Sequence, residues 1–295
     1  AIGETVYEVN ARWTAVGRRS ARRPGKTDRL DAQSVARVVR QEGSSLPAVF
    51  AEDDSAILDV LANERDDVLR EETRLRNQIH ALLLQIDPLY RDRLPKLTSK
   101  AGLRALAAYR SSDLGDGIQA QRAAAVRRIG ARLQLASAQA DDLARQLRRL
   151  AAPGYSPLTQ LFGVNLLTAA ALAGVLGPGQ RFSTDSQLAA YAGVAPLETS
   201  SASLVRHRLN RGGNRRVNSI IYRIAVTQAR SLPEARQYVA RRVSEGKTKR
   251  EAHRALRRYI IRAVWRLWRD CTAVSAELHG LNFEGAAENK KRTAA

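Results

Sequence analysis

Two long stretches of the chain repeat apolar residues at regular helical intervals, and this repeat constrains the fold more than any other feature. In the first stretch the repeat is seven residues, at Leu61, Val68, Leu75 and Leu82. A companion row mixes apolar with charged residues, at Leu58, Arg65, Glu72 and Ile79. In the second stretch steps of three and four alternate, at Val126, Ile129, Leu133, Ala136, Ala140, Leu143, Leu147 and Leu150. These seams predict an antiparallel helical hairpin that serves as a spacer or an oligomer contact, or two helices of an ordinary bundle.

Interruptions of the helical pattern divide the chain. Pro88, Pro95 and the SSDLGDG segment separate the two seams, and the AAPG sequence at residues 151–154 marks a domain boundary. Residues 4–10 alternate apolar and polar side chains and form the only convincing strand. We expect a mainly helical chain with an N-terminal part at 1–50, a helical spacer at 51–152, a C-terminal domain at 153–280, with helices centred on Ile220 and Tyr259, and a disordered basic tail at 281–295.

The chain is strongly basic. Its 295 residues include 49 Lys and Arg against 29 Asp and Glu, a net charge of +20, so a polyanion is the expected partner. The single cysteine, Cys271, excludes an internal disulfide and a zinc site built from cysteines, and it favours an intracellular, cytoplasmic protein. No apolar run suggests a membrane span. Because methionine is absent even at position 1, we expect a fragment without its N-terminus.

Two aspartates stand at the start of a predicted helix over residues 27–43. Asp28 and Asp31 are three residues apart in the first turn, so their carboxylates share a face. Mg²⁺ binds one or two carboxylates and keeps positions for substrate phosphates, so the pair suits a nuclease-type metal site. The structural alternative is that aspartates simply stabilise the first turn through capping and the helix dipole.

A cluster of serines precedes a basic segment. Ser200, Ser201 and Ser203 could include a nucleophile if a base or metal activates it and positive groups stabilise the attacked phosphate. The arginines expected to contact nucleic acid here are Arg206, Arg208, Arg211, Arg215 and Arg216. A polar loop without catalytic function is the alternative.

A cationic stripe is predicted further along the chain. Between residues 205 and 269 there are 19 Lys or Arg against 3 Glu. Four arginines recur every four residues on one predicted helix, at Arg254, Arg258, Arg262 and Arg266. This pattern favours phosphate contacts over a merely solvated face, because three glutamates are too few to balance it.

Five motifs together resemble the insertion sequence 110 family of transposases: VYEVN, GKTDRLDA, LFGVNLLTAAALAGVLG, RFSTDSQLAAYAGVAP and SSAS followed by NRGGNRR. The resemblance implies an N-terminal RuvC-like (RNase H-like) domain with DEDD acids that bind Mg²⁺, a coiled-coil spacer, and an all-α C-terminal transposase domain with a nucleophilic serine. Asp28 and Asp31 match the last two acids, and the first two are expected upstream. The serine falls best on Ser201, with Ser200 as the second choice, and the FGVN sequence at 162–165 matches a helix-hairpin-helix-like turn.

What the resemblance implies is DNA strand cleavage and exchange through a covalent phosphoserine intermediate. It also implies a guide RNA as a partner beside DNA, and a homo-oligomer, dimer or tetramer, formed through the coiled coil. With only two of four acids, this chain alone is expected to bind nucleic acid and self-associate without cleaving DNA. A non-catalytic helical DNA- or RNA-binding protein, and a Mg²⁺-dependent nuclease that does not use the serine, are the alternatives.

Overall fold

The computed structural model describes residues 5–9, 27–109, 117–195, 197–198, 207–208 and 212–292. The described part of the chain is mostly helical, which confirms the mainly-α prediction. Two compact units are present: a larger unit of residues 1–59 and 150–295, and a smaller unit of residues 60–149. No helix in the described residues is both long and apolar enough to cross a membrane.

Helices account for most of the described elements. In chain order they are α1 Asp28–Glu42, α2 Asp54–Ile86, α3 Tyr90–Arg93, α4 Lys100–Ala107, α5 Ile118–Tyr155, α6 Leu166–Leu176, α7 Asp185–Tyr191, α8 Arg215–Ser231, α9 Pro233–Ser244 and α10 Lys249–Arg292. The strands are β1 Val6–Tyr7, β2 Ala48–Val49, β3 Leu197–Glu198 and β4 His207–Arg208. They form two antiparallel pairs, β1 with β2 and β3 with β4.

The smaller unit is built on α2 and α5, which run antiparallel within it. Hydrogen bonds link Gln119 to Gln85, Arg132 to Glu71 and Gln139 to Glu64. Residue numbers therefore rise along α5 as they fall along α2, as in an antiparallel pair. Its apolar core combines residues of the two seams, Leu75, Ile79, Val126 and Leu133, with Leu83, Tyr90, Leu97 and Leu106. A second cluster contains Val68, Ala136, Ala140 and Leu143. The hairpin is thus held by the residues whose spacing predicted it.

Two details of the seams differ from the sequence expectation. Leu150 is 40% exposed, because the buried row continues through Leu147 and Ala151 instead. Glu72 interrupts the apolar row of α2 and is nevertheless buried, where it pairs with Arg76 one turn later. A buried carboxylate needs such a partner, since burial of an unpaired charge is costly.

The N-terminal strand, the only strand that the sequence predicted, pairs with a second strand, β2. Val6 lies opposite Val49 and Tyr7 opposite Ala48. The following helix matches its prediction: Thr27 caps the start of α1 by accepting from the Leu30 N–H at 3.3 Å, and Gly43 ends it with φ of +48°. A left-handed residue at this position favours glycine, as predicted from the sequence.

Helix α10 forms the centre of the larger unit and packs against α7, α8 and α9. Its indole groups tie it to the chain around α7, because Trp268 donates to the Gly177 carbonyl at 3.0 Å and Trp265 to the Phe182 carbonyl at 3.1 Å. Helix α9 lies between the two helices that the sequence predicted in this region. Helix α10 extends to Arg292, and the expectation of a disordered basic tail at 281–295 stays a prediction.

Candidate functional site

The serine cluster falls in the connection between two paired strands. Leu197 of β3 lies opposite Arg208 of β4, and Glu198 lies opposite His207. The described residues on either side of 199–206 are therefore neighbours in space. Five of the predicted site residues lie outside the described residues: Ser200, Ser201, Ser203, Arg206 and Arg211. Arg208 is described through its backbone pairing only.

The chain on both sides of this hairpin meets at one place, which we call the α7–α8 junction and define as residues 192–195 and 212–214. Gly213 approaches Gly193 so closely that a Cβ on Gly213 would lie 2.1 Å from the Gly193 nitrogen. Only glycine fits such an approach of backbone to backbone. The turn that leads into the hairpin and the turn that leaves it are thus in direct contact.

Two asparagines hold the α7–α8 junction together. The Asn214 backbone N–H donates to the Tyr191 carbonyl at 2.6 Å, and its side-chain Nδ2 donates to the Tyr191 hydroxyl at 2.9 Å. Its Oδ1 accepts from the N–H groups of Arg216 and Val217 and caps the start of α8. Asn218 Nδ2 donates to the Ala192 carbonyl at 2.8 Å. The start of α8 is therefore fixed to the end of α7.

Arg181 connects the N-terminal strand segment to the same place. Its guanidinium pairs with Glu8, donates to the Tyr191 hydroxyl at 3.2 Å and lies 4.9 Å from the centre of the Tyr191 ring. It also donates to the Val175 carbonyl at 2.9 Å. Burial raises the pKa of Tyr191, so its hydroxyl stays protonated and available as a donor. The sequence contained no signal for the pairing of Glu8 with this cluster, because Glu8 lies 173 residues before Arg181.

The two predicted metal ligands lie in the first turn of α1, where the sequence placed them. Asp28 is exposed and Asp31 is half-buried. Among the residues that the structure describes, no group of three or more His, Cys, Asp or Glu side chains is placed to hold a metal ion. The donor chemistry of the pair nonetheless suits a hard cation, which takes one or two carboxylates together with phosphate oxygens.

The arginines of the predicted stripe on α10 have carboxylate partners for three of their four members. Arg254 pairs with Glu251 at 3.6 Å, and Asp185 at the start of α7 accepts from both Arg258 at 2.7 Å and Arg262 at 3.2 Å. The fourth member, Arg266, is exposed. Part of the positive charge on this face of α10 is therefore compensated within the protein.

Helix α8 carries a second cationic face that the sequence analysis did not single out. Its exposed side chains are Arg215, Ser219, Tyr222, Arg223, Val226 and Arg230. Arg216, on the other side, pairs with Asp59 at 2.7 Å. The chain contains no Asp or Glu between Glu198 and Glu234, and this acid-free run was the available signal for the α8 face.

The FGVN sequence at 162–165 forms a tight turn before α6. Gly163 has φ of +88°, and Asn165 caps α6 by accepting from the Thr168 N–H at 2.9 Å. The turn packs against α8, because Gln228 donates to the Phe162 carbonyl at 2.8 Å and a Cβ on Gly163 would lie 3.4 Å from Thr227. Its observed role is to support the C-terminal part of α8.

Comparison with known proteins relates two parts of the chain to one family. A sequence model described as "Transposase", the DEDD transposase of IS110 elements, matches residues 1–88. A second, described as "Transposase IS116/IS110/IS902 family", matches residues 155–240. The "Insertion element IS110 uncharacterized 43.6 kDa protein" of Streptomyces coelicolor is 29% identical over 289 residues, which cover 84% of this chain and 71% of the relative.

Proposed function

Because the chain belongs to the IS110 family of transposases, we propose that it cleaves and exchanges DNA strands with Ser201 as the nucleophile. The observation that carries this proposal is the contact between Gly193 and Gly213. It brings together the two ends of the segment that contains the serine and fixes them to the buried end of α7. A nucleophile on a loop needs such a rigid base to hold its geometry.

The proposed step is attack by the Ser201 hydroxyl oxygen on a DNA phosphorus. A serine–phosphorus ester bond forms, one bridging P–O bond breaks, and the serine proton leaves to a base while the departing sugar oxygen takes a proton. Arginines of the basic segment, Arg206, Arg208 and Arg211, stabilise the negative charge on the phosphate in the transition state. The reverse attack by a different strand end then completes the exchange and frees the serine.

The DEDD match indicates a divalent metal ion, and we propose that it is Mg²⁺ held by Asp28 and Asp31. When bound, the ion supplies positive charge to the phosphate oxygens. The two carboxylates stand on one face of the first turn of α1, which Thr27 caps independently of them. Their proposed role is to orient the ion, and they are not needed to start the helix. This N-terminal part is proposed to belong to a RuvC-like domain.

The proposed nucleic-acid surface runs along the exposed face of α8, away from the α7–α8 junction. Arg215, Arg223 and Arg230 lie on this face with Tyr222, and α8 itself contains no acidic residue. Uncompensated arginines exchange counterions for phosphates on binding. On α10, the exposed Arg266 is proposed to contact phosphate directly. Arg254, Arg258 and Arg262 are proposed to exchange their carboxylate partners for phosphate when nucleic acid binds. Because phosphates occur in both polymers, we propose a guide RNA beside DNA.

The helical hairpin of the smaller unit is the proposed oligomer contact. Outside its buried seams α5 exposes Leu135, which is 72% accessible, and α2 exposes Leu84. A coiled-coil hairpin with additional apolar residues on its outer face is suited to pair with a second copy. The part from residue 153 onward, which is helical apart from the strand pair β3–β4 and so not all-α as the sequence predicted, is proposed to act as the transposase domain, with the turn at 162–165 as its helix-hairpin-helix-like element.

Single substitutions of the three serines test the proposed nucleophile. In a version that carries all four DEDD acids, we expect Ser201→Ala to abolish a covalent protein–DNA adduct, because no other hydroxyl occupies its place, and to leave DNA binding nearly unchanged. The measurement is a denaturing gel with labelled DNA, guide RNA and Mg²⁺, with Ser203→Ala as the matched control. Loss of the adduct in Ser200→Ala alone would move the nucleophile by one residue. Metal-dependent cleavage without any adduct would indicate the nuclease alternative, and binding without cleavage the non-catalytic one.

A further inference from the structure

Arg257 differs from the other half-buried arginines of the larger unit. Each of the others forms an ion pair, with a carboxylate oxygen within 4.0 Å of a guanidinium nitrogen. The pairs are Arg181 with Glu8, Arg216 with Asp59, Arg242 with Glu245, Arg254 with Glu251 and Arg258 with Asp185. Among the described side chains Arg257 has no such partner, although burial of a charge ordinarily requires one.

The side chains of α8 that lie next to Arg257 are neutral. Its Nη1 donates to Asn218 Oδ1 over 3.4 Å, and its guanidinium carbon lies 5.9 Å from the centre of the Tyr222 ring. Its Nε is buried and has no hydrogen-bond partner among the described residues. Because Tyr222 is 52% exposed, the guanidinium lies beside a ring that opens to solvent.

Positive charge accumulates around this point. The pKa of Arg257 is lowered by burial and by the neighbouring Arg254. The pKa of His253 is lowered by burial and, in addition, by Lys249 and Arg257. These groups destabilise each other in the free protein, and an anion among them would relieve that repulsion.

We propose that Arg257, together with Asn218 and Tyr222, forms a binding site for one backbone phosphate of a nucleic-acid strand where α10 packs against the first half of α8. The guanidinium supplies donors that fit phosphate oxygens. Asn218 orients it and also binds the Ala192 carbonyl of the junction. The exposed Tyr222 ring offers a stacking surface for an adjacent unpaired base. This inference rests on the proposed nucleic-acid function, and DNA and RNA share the phosphodiester that the site recognises.

The test compares Arg257→Gln with Arg242→Gln in the full chain. Both variants remove one half-buried arginine, but Arg242 is paired with Glu245. Binding to single-stranded RNA, single-stranded DNA and duplex DNA of equal length is measured over a range of salt concentrations. For Arg257→Gln we expect about tenfold weaker binding at low salt, and a log–log salt slope that is smaller by about 0.9 on duplex or about 0.7 on single strands. Arg242→Gln is expected to keep the parental slope.

Thermal melting separates a binding role from a structural one. Because Arg257 lacks a carboxylate, Arg257→Gln should melt no lower than the parent chain, whereas Arg242→Gln loses an ion pair. Arg257→Lys keeps the charge and loses the planar fork, so it should retain the salt slope with reduced affinity. A lowered melting temperature for Arg257→Gln with parental binding in Arg257→Lys would show a purely structural role and overturn the site.

The binding results also distinguish this inference from the function on which it rests. If the parent chain binds with a steep salt dependence and Arg257→Gln binds identically, the phosphate site is wrong and the proposed function stands. If the parent chain binds none of the three polymers, both fail. A loss confined to RNA assigns the phosphate to the guide, and a loss confined to DNA assigns it to the substrate strand.

Discussion

At the scale of single residues, the structure gives polar side chains positions that spacing could not predict. Asn214 is the clearest case, because its backbone and side chain bind Tyr191 while its Oδ1 caps α8. Asp185 is the second case. It follows the N-cap Thr184 of α7 and accepts from two arginines on α10 that lie more than 70 residues further along the chain.

Asp185→Asn tests how much this carboxylate contributes to stability. Burial alone would raise the pKa of Asp185, but the hydrogen bonds and charges of Arg258 and Arg262 outweigh it and hold the pKa below 3.8. The ionised form is therefore favoured in the folded state, and its contribution is complete above pH 3.8 and lost as the pH falls through the lowered pKa. We expect the variant to lose about 1 kcal/mol of unfolding free energy at pH 7, measured by urea denaturation.

The control for this experiment is Asp142→Asn, which removes an acid from an exposed pair with Arg145. Exposed pairs of this kind contribute little to stability. An equal loss in both variants, or a loss for Asp185→Asn that persists well below its lowered pKa, would contradict the assigned role of the Asp185 carboxylate.

At the scale of elements, two short strands and the turns beside them place the serine segment. β3 and β4 are two residues each, and a pair so short has little stability of its own. Its position is fixed by the contact of Gly193 with Gly213 and by the asparagine bonds at the α7–α8 junction. The positions of β3 and β4 are therefore set by the helices that flank them.

Gly213→Ala is expected to separate the two turns of the α7–α8 junction. Its Cβ would lie 2.1 Å from the Gly193 nitrogen, a distance that backbone atoms cannot tolerate. We expect a lower melting temperature and loss of the protein–DNA adduct. Gly246→Ala serves as the control, since Gly246 has φ of +84° but nothing within 4 Å of an added Cβ. That variant should lose some stability through backbone strain and keep the adduct. Normal adduct formation in Gly213→Ala would show that the junction does not position the serine.

At the scale of the whole molecule, the two ends of the chain belong to one compact unit and the middle forms another. Sequence order suggested three successive domains at 1–50, 51–152 and 153–280, and those boundaries stay a prediction. Within the larger unit Glu8 pairs with Arg181, so the N-terminal segment contacts the chain next to α7. Helix α10 carries the core of this unit, and Cys271 is buried on it.

Cys271 provides a probe of the larger unit as a whole. Burial raises the pKa of its thiol to about 11. Near neutral pH the thiol is therefore shielded from reagents and is not ionised to the reactive thiolate. We expect a thiol reagent at pH 8 to label the native chain far more slowly than the chain in denaturant, with a rate that follows unfolding. Labelling of the native chain at the rate of a free thiol would show that the unit opens locally around α10.

The raised pKa of the thiol also makes the stability of the larger unit depend on pH in the alkaline range. Because the folded state keeps the thiol neutral, stability is full below the ordinary thiol pKa of 9.0 and decreases as the pH rises from there to about 11. Cys271→Ala should remove this part of the pH dependence. An unchanged alkaline profile in that variant would assign the effect to other groups, such as Tyr155, whose pKa burial raises to about 12.

The sequence by itself determined the features that depend on neighbours in the chain. The seams of α2 and α5, the start of α1 at Thr27 and its end at Gly43 follow from helical spacing and capping, which are local. The basic character and the family motifs are likewise properties of the residue string. The tertiary structure decided which charges are compensated. Arg258 and Arg262 belong to the same arginine-rich stretch as Arg257, yet packing against α7 gives these two a carboxylate partner in Asp185 and leaves Arg257 beside neutral groups of α8. The pairs with Asp185 and the contact of Gly213 with Gly193 join residues far apart in the chain, so no local pattern encodes them.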